Sequence, residues 1–142
     1  MLHSTHIQSH LMGGMRVLLA EDAPLIAMEL EDALLDAGAQ VIGPFATLPS
    51  LLAAVEEGEF DAAILDVRLG RSESFPAAEV LVARDVPVIF HSGHVHDTQI
   101  ATRFPKARLC SKPCSGDRVI EALARTMAEA GLFDAYQSPT GA

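Results

Sequence analysis

An α/β fold, with a parallel sheet between layers of helices, is predicted by two features of this chain. Short apolar runs recur along it: Val17-Leu18-Leu19-Ala20, Ala62-Ala63-Ile64-Leu65, Val86-Pro87-Val88-Ile89-Phe90 and Ala107-Arg108-Leu109-Cys110, separated by segments of helix length. Runs this short and this apolar read as strands buried on both faces, the pattern of a parallel sheet. Each run also leads to a reactive group: Glu21-Asp22, Asp66, His91-Ser92-Gly93 and Ser111-Lys112-Pro113. In open parallel sheets the carboxyl ends of the strands form the ligand edge. Three carboxylates, a hydroxyl and an ammonium are therefore expected to meet, a set suited to a divalent cation and a phosphoryl group.

Strand one spans 16–20, and Asp22-Ala23-Pro24 opens the first helix, with Asp22 near the cap and Pro24 in the first turn. Leu25, Met28, Leu30, Ala33 and Leu34 supply its apolar stripe, and Gly38 stops it. A shorter second strand centres on Val41-Ile42. Thr47 to Glu57 reads as a helix with Leu51, Leu52 and Val55 inward, ended by Gly58. Strand three, 61–66, runs into a loop from Val67 to Ser74 that contains Gly70. A helix from Phe75 to Arg84 packs through Ala77, Val80 and Leu81, and strand four covers 86–91. The segment 94–104 is polar and short, so its helix is expected to be reduced. Strand five covers about 107–110, and the last helix, Asp117 to Ala130, packs through Val119, Ile120, Leu123 and Met127.

Residues 1–14, His-rich and closed by Gly13-Gly14, read as a flexible extension, 15–131 as one folded domain and 132–142 as a fraying tail. Right-handed crossovers fold five such strands and five helices into a doubly wound, flavodoxin-like sandwich of three layers. In that class the strand order 2-1-3-4-5 sets strands one and three side by side at the switch point, which gathers Glu21, Asp22 and Asp66.

A chain of 142 residues, 49% hydrophobic and 20% charged, suits one domain with a real core. Its formal net charge of −9 argues against nucleic-acid binding, which needs clustered Lys and Arg. No apolar stretch approaches the roughly 20 residues that span a bilayer, and no basic segment followed by a long apolar core marks a secretory signal. Cys110 and Cys114 give no disulfide framework, so reduced thiols and a cytoplasmic setting are expected. Gly70 belongs to no dinucleotide or P-loop motif, and Ser92 to no nucleophile elbow.

Three carboxylates within a few ångströms repel one another unless a cation sits among them. Hard oxygen ligands favour Mg²⁺, which takes a few carboxylates, waters and a phosphate oxygen. A single acid at a strand end is ordinarily a solvated terminus or helix cap. Acids after strands one and three, with Ser92 and Lys112 after strands four and five, form a more specific set.

In order and strand context, Glu21-Asp22, Asp66, Ser92-Gly93 and Lys112-Pro113 resemble the signature of response-regulator receiver domains, over about residues 15 to 131. The resemblance implies that Asp66 is the phosphoacceptor and that Glu21, Asp22, Asp66 and the backbone carbonyl of Arg68 hold Mg²⁺. By the same likeness Ser92 senses the phosphoryl group, Lys112 pairs with it, and the Lys112-Pro113 bond is cis. It implies a stand-alone response regulator that takes its phosphoryl group from a histidine kinase or phosphotransfer protein. Such a domain catalyses its own phosphorylation and dephosphorylation and is a switch rather than an enzyme. Because the chain ends soon after its last helix, output is expected to pass to a partner protein, or the domain serves as a phosphate sink or relay. A homodimer is compatible with this. The face of helix four, strand five and helix five is the partner surface that the likeness implies. Phe90-His91-Ser92-Gly93-His94 is similar to the Phe-Ala-Thr-Gly-Tyr pattern of a receiver subgroup common in alphaproteobacteria, often paired with HWE-type or related kinases.

Leu109 stands where the family often carries an aromatic switch residue, and Cys114 where an aromatic or aliphatic residue is common. Two other readings stand beside the switch. A degenerate receiver would be a phosphorylation-independent interaction module. A haloacid-dehalogenase-type phosphohydrolase would also use a strand-end Asp with Mg²⁺, but it wants a second Asp where Arg68 stands and a cap domain that this length cannot hold. His91, His94 and His96 crowd one loop, and His3, His6 and His10 lie in the extension. Neither group gives a closed tetrahedral metal set, although His94 and His96 are placed to border the pocket and make it pH-sensitive.

Overall fold

The computed structural model describes residues 12–93 and 98–131. The chain runs β1 (Arg16–Ala20), α1 (Pro24–Asp36), β2 (Gln40–Phe45), α2 (Leu48–Glu57), β3 (Ala62–Asp66), β4 (Arg68–Leu69), β5 (Ser72–Glu73), α3 (Phe75–Ala83), β6 (Val88–Ser92), α4 (Thr98–Arg103), β7 (Arg108–Ser111) and α5 (Gly116–Glu129). The main sheet is parallel, in the order β2-β1-β3-β6-β7. Counting only its five strands, this is the expected 2-1-3-4-5 arrangement. Every residue of β3 and β6 is buried, because helices cover both faces and no side of these strands needs polar residues.

Alternation along the strands sends side chains into two separate core layers. Leu18, Leu65 and Phe90 point to one, closed by Leu51 and Val55 of α2, Phe75 and Leu81 of α3, and Ile100 and Phe104 at α4. Val17, Leu19, Ile64 and Ile89 point to the other, closed by Leu30 and Leu34 of α1 and by Val119, Leu123 and Met127 of α5. Phe75, Phe90 and Phe104 stack mutually, with centroids 5.3–5.8 Å apart, which anchors the short α4.

Several expectations are corrected. Leu25 and Met28, assigned to the buried stripe of α1, are 80% and 58% exposed. The buried face is instead Ala27, Leu30 and Leu34, whose spacing places Leu25 and Met28 on the opposite side of a 3.6-residue turn. Val80 likewise lies at the outer rim of α3 rather than in its core. The residue at the α1 cap is Ala23, with no side-chain cap bond; Asp22 turns to another partner. The fourth strand of the sheet starts at Val88 rather than 86. The loop after β3 carries a small antiparallel hairpin, with Arg68 opposite Glu73.

The folded region also begins before residue 15. Met12 is fully buried in the α1/α5 layer, and its N–H donates to the Ala37 carbonyl at 2.8 Å. Readings placed on residues 1–11, 94–97 and 132–142, including His3, His6, His10, His94 and His96, lie outside the described residues. Among the described residues, no helix is long and apolar enough to cross a membrane.

Candidate functional site

Register brings the reactive residues to one edge. Ala20 pairs with Leu65, Asp66 with His91, and Ser92 with Ser111, so β1, β3, β6 and β7 end together. Glu21 continues β1, held by its N–H to the Phe45 carbonyl at 3.0 Å. Carboxylate oxygens of Glu21, Asp22 and Asp66 all lie within 4.8 Å of one another. Lys112 Nζ donates to Asp66 Oδ2 at 2.9 Å and lies 3.1 Å from Glu21 Oε1. Its backbone N–H donates to the Ser92 carbonyl at 2.6 Å, which fastens the β7 end to β6. The Lys112-Pro113 bond is cis, as is Gly43-Pro44.

Each carboxylate has its own role in this geometry. Glu21 Oε2 accepts the Ala23 N–H at 3.1 Å, a bond that also ties down the start of α1. Asp22, exposed, accepts the Gly70 N–H at 2.8 Å, so it joins the β4–β5 turn to the site. Asp66 Oδ1 accepts the Arg68 N–H at 3.2 Å, while the Arg68 side chain is exposed. Ser92 is buried at the end of β6. Asp66 is only 6% exposed, and Glu21 2%.

Charge is divided unequally within this buried set. Burial pushes Asp66 up from 3.8 to about 6; Lys112 opposes that rise and neighbouring Glu21 adds to it. Burial also works against Glu21, but its hydrogen-bonding neighbours outweigh it and hold Glu21 down at about 2. At 3.6 Å, His91 Nδ1 is too far from Glu21 Oε1 for a full hydrogen bond, so Lys112 and the Ala23 N–H are the firmer partners. Two like charges this close cannot ionise with equal ease, and Glu21 keeps the charge more readily. Burial disfavours the Lys112 ammonium, yet Asp66 and Glu21 together hold its pKa above the ordinary range.

The set suits a hard divalent cation. Three carboxylates offer oxygen ligands, and buried Glu21 Oε1 meets no donor in hydrogen-bonding geometry among the described residues, its 3.1 Å contact with Lys112 Nζ being an ion pair. The only cluster of metal-ligating side chains found among the described residues is this one.

Sequence reasoning placed Glu21, Asp22, Asp66, Ser92, Lys112 and Arg68 here, and all six come to this edge. It read His91 both as the last residue of strand four and as one of three histidines crowding a loop, and the structure keeps the strand reading. His91 is the fourth residue of β6 and 2% exposed, set against Glu21. Alternation from buried Ile89 was the available signal. Leu109, the replacement for an aromatic switch residue, packs against the α2/α3/α4 layer.

Comparison with known proteins agrees with this architecture. Residues 17–124 match the response regulator receiver domain. No curated protein sequence matches significantly. Among solved structures, the solution structure of SdrG from Sphingomonas melonis Fr1 is 42% identical, with a TM-score of 0.68, over 80% of this chain and 97% of that one. The BeF3-activated conformation of SdrG, from Pseudomonas melonis Fr1, is 39% identical, with a TM-score of 0.63, over 85% of this chain and 98% of that one. The receiver domain of the Erythrobacter litoralis PhyR response regulator is 30% identical, with a TM-score of 0.69, over 89% of this chain and 97% of that one. With the match spanning the sheet, both core layers and the acidic edge, this chain belongs to the response regulator receiver domain family.

Proposed function

We propose that this receiver domain is a phosphoacceptor switch: Asp66 takes a phosphoryl group from the phosphohistidine of a sensor histidine kinase or phosphotransfer protein, and the phosphorylated form changes partner binding. One observation carries the reading. The Asp66 carboxylate sits at the open edge of the sheet with the Lys112 ammonium 2.9 Å away and two further carboxylates within 4.8 Å.

The residues that would hold Mg²⁺ are Glu21, Asp22, Asp66 and the Arg68 carbonyl. When bound, Mg²⁺ supplies charge neutralisation for the carboxylates and for phosphoryl oxygens. Asp66 is the nucleophile, and its attack on phosphorus forms an acyl phosphate while the donor imidazole leaves. Lys112, already paired with Asp66, balances charge on an oxygen of the incoming group. Little covalent work is asked of the protein beyond alignment and charge. The Ser92 hydroxyl then donates to a phosphoryl oxygen, drawing on the end of β6 and biasing the segment that follows it. Water attack on the acyl phosphate resets the switch, so the domain turns over its own phosphoryl group without being an enzyme for external substrates.

The donor surface follows from the same frame. Leu25, Met28 and Leu35 are exposed along the outer side of α1, whose first turn, with Leu25, adjoins the acidic edge. A helical phosphodonor that places its histidine over Asp66 would cover that side. The similarity to an SdrG structure described as BeF3-activated supports beryllofluoride as the probe. With Mg²⁺ and beryllofluoride, amide shifts spreading from Asp66 through Ser92 to β7 are expected, and none in Asp66→Ala. Equal shifts in Asp66→Ala would refute the acceptor role, and silence in both would favour an interaction module. Turnover of small phosphomonoesters would favour a hydrolase.

A further inference from the structure

Cys110 and Cys114 are the chain's only cysteines, and they bracket Lys112 without belonging to the acceptor machinery. Leu109 faces the α2/α3/α4 layer, whereas Cys110, the next residue of β7, faces the α1/α5 layer. The chain passes through Lys112-Pro113, and Cys114 returns to that same α1/α5 layer, one residue before Ser115 caps α5. Both thiols are free and half-buried. They interact with each other. Burial first, then the adjacent Cys114, pushes the Cys110 thiol up to about 12, against the opposing pull of Arg108 and Arg118.

We propose that Cys110 and Cys114 are a redox-modification site, closed by a peroxide into an intramolecular disulfide that encloses Lys112 and loosens its hold on Asp66. The bond itself stands apart from the phosphoacceptor reading; only its consequence for Asp66 rests on that reading. Cys114, on the loop between β7 and α5 rather than in a hydrogen-bonded strand, reacts first. Its thiolate attacks the peroxide O–O bond, giving a sulfenic acid and an alcohol or water. The Cys110 sulfur then attacks the Cys114 sulfur, the S–S bond forms, and the sulfenic oxygen leaves as water with the Cys110 proton. The two thiols lose two protons and two electrons, and the peroxide is reduced.

A disulfide holds its sulfurs about 2.05 Å apart, far inside a non-bonded thiol contact. Only Ser111, Lys112 and Pro113 lie between the two cysteines, so the closure is taken up by the segment carrying Lys112. That segment is fixed by contacts of 2.6 Å to Ser92, 2.9 Å to Asp66 and 3.1 Å to Glu21. A hydrogen bond tolerates only a few tenths of an ångström of such displacement.

The test treats the full chain with hydrogen peroxide, followed by intact mass, thiol alkylation and Mg²⁺–beryllofluoride titration by NMR. Oxidation is expected to leave a monomer about 2 Da lighter with both thiols blocked to alkylation. Beryllofluoride affinity is expected to fall about tenfold, to recover on reduction, and to be unaffected by peroxide in Cys110→Ser/Cys114→Ser. Oxygen adducts without an S–S bond, or disulfide-linked dimers alone, would overturn the site. An intramolecular disulfide with beryllofluoride affinity unchanged would overturn its effect on Lys112. Were the reduced protein itself to ignore beryllofluoride, the phosphoacceptor reading would fall, while mass and alkylation would still decide the disulfide.

Discussion

Asp66 is expected to be a burden on the metal-free fold, and replacing it with Asn should stabilise the protein. Raising its pKa from 3.8 to about 6 corresponds, at about 1.4 kcal/mol per tenfold, to about 3 kcal/mol spent on ionising Asp66 in the folded state. Residual solvent contact at this edge screens part of that, leaving about 2 kcal/mol. An Asn amide cannot accept from both present donors, Lys112 Nζ at 2.9 Å and the Arg68 N–H at 3.2 Å, and one lost hydrogen bond costs about 1 kcal/mol. Asp66→Asn should therefore gain about 1 kcal/mol, or a few degrees in Tm, in urea or thermal unfolding with EDTA near neutral pH.

The sign of the pH dependence follows from linkage. Because the folded pKa lies above the unfolded one, the folded state binds the extra proton between 6 and 3.8, and stability rises as pH falls through that window. Glu21 acts oppositely, its contribution being lost only as pH falls from 4.5 towards 2. The difference between wild type and Asp66→Asn isolates the Asp66 contribution, and added Mg²⁺ should stabilise wild type alone. A variant less stable than wild type by 1 kcal/mol or more, or a difference curve independent of pH between 6 and 4.5, would refute this account of the site.

Lys112→Ala should bind Mg²⁺ more tightly, about threefold or more, because it removes a positive charge 2.9 Å and 3.1 Å from two carboxylates. It should also fail to respond to beryllofluoride, and NMR titration reads both effects. Leu25→Gln/Met28→Gln should slow phosphoryl transfer from a histidine kinase while leaving phosphorylation by acetyl phosphate unchanged, since it alters an exposed stripe and no site residue; phosphate-affinity gels distinguish the two. Gly43→Ala should cost about 2 kcal/mol or more in urea unfolding. A Cβ there would sit 2.5 Å from the Leu19 carbonyl oxygen, at a backbone φ of +116°.

The fold was legible wherever a local pattern and a topological rule agreed. β3 is apolar up to Asp66 and β6 up to His91, so no choice of face had to be made, and the strand order of the doubly wound class then gave their neighbours. α1 was harder because it is apolar on both sides. Leu25, Met28 and Leu35 repeat at helical spacing as well as Ala27, Leu30 and Leu34 do, and only the position of the sheet decides which set is buried. Met12 was missed for a related reason. Its partner, the Ala37 carbonyl, lies at the far end of α1, and nothing within the polar N-terminal segment signals that contact.

The candidate site divides along the same line. Asp66 ends apolar β3 and Lys112 directly follows β7, so parallel register alone carries them to one edge. Asp22 was placed in the cluster correctly but given the wrong neighbour: a helix cap is a local inference, whereas its bond to Gly70 depends on the hairpin after β3. His91 is the sharper case. Its place at the end of an apolar run put it in strand four, and the bonding of β6 to β3 does continue through it, with His91 opposite Asp66; what local sequence did not show is the carboxylate it meets. Alternation then turns its ring from solvent towards Glu21. The chemistry of this edge is thus set by which residues end strands, while its electrostatics depend on side chains that only the assembled sheet brings together.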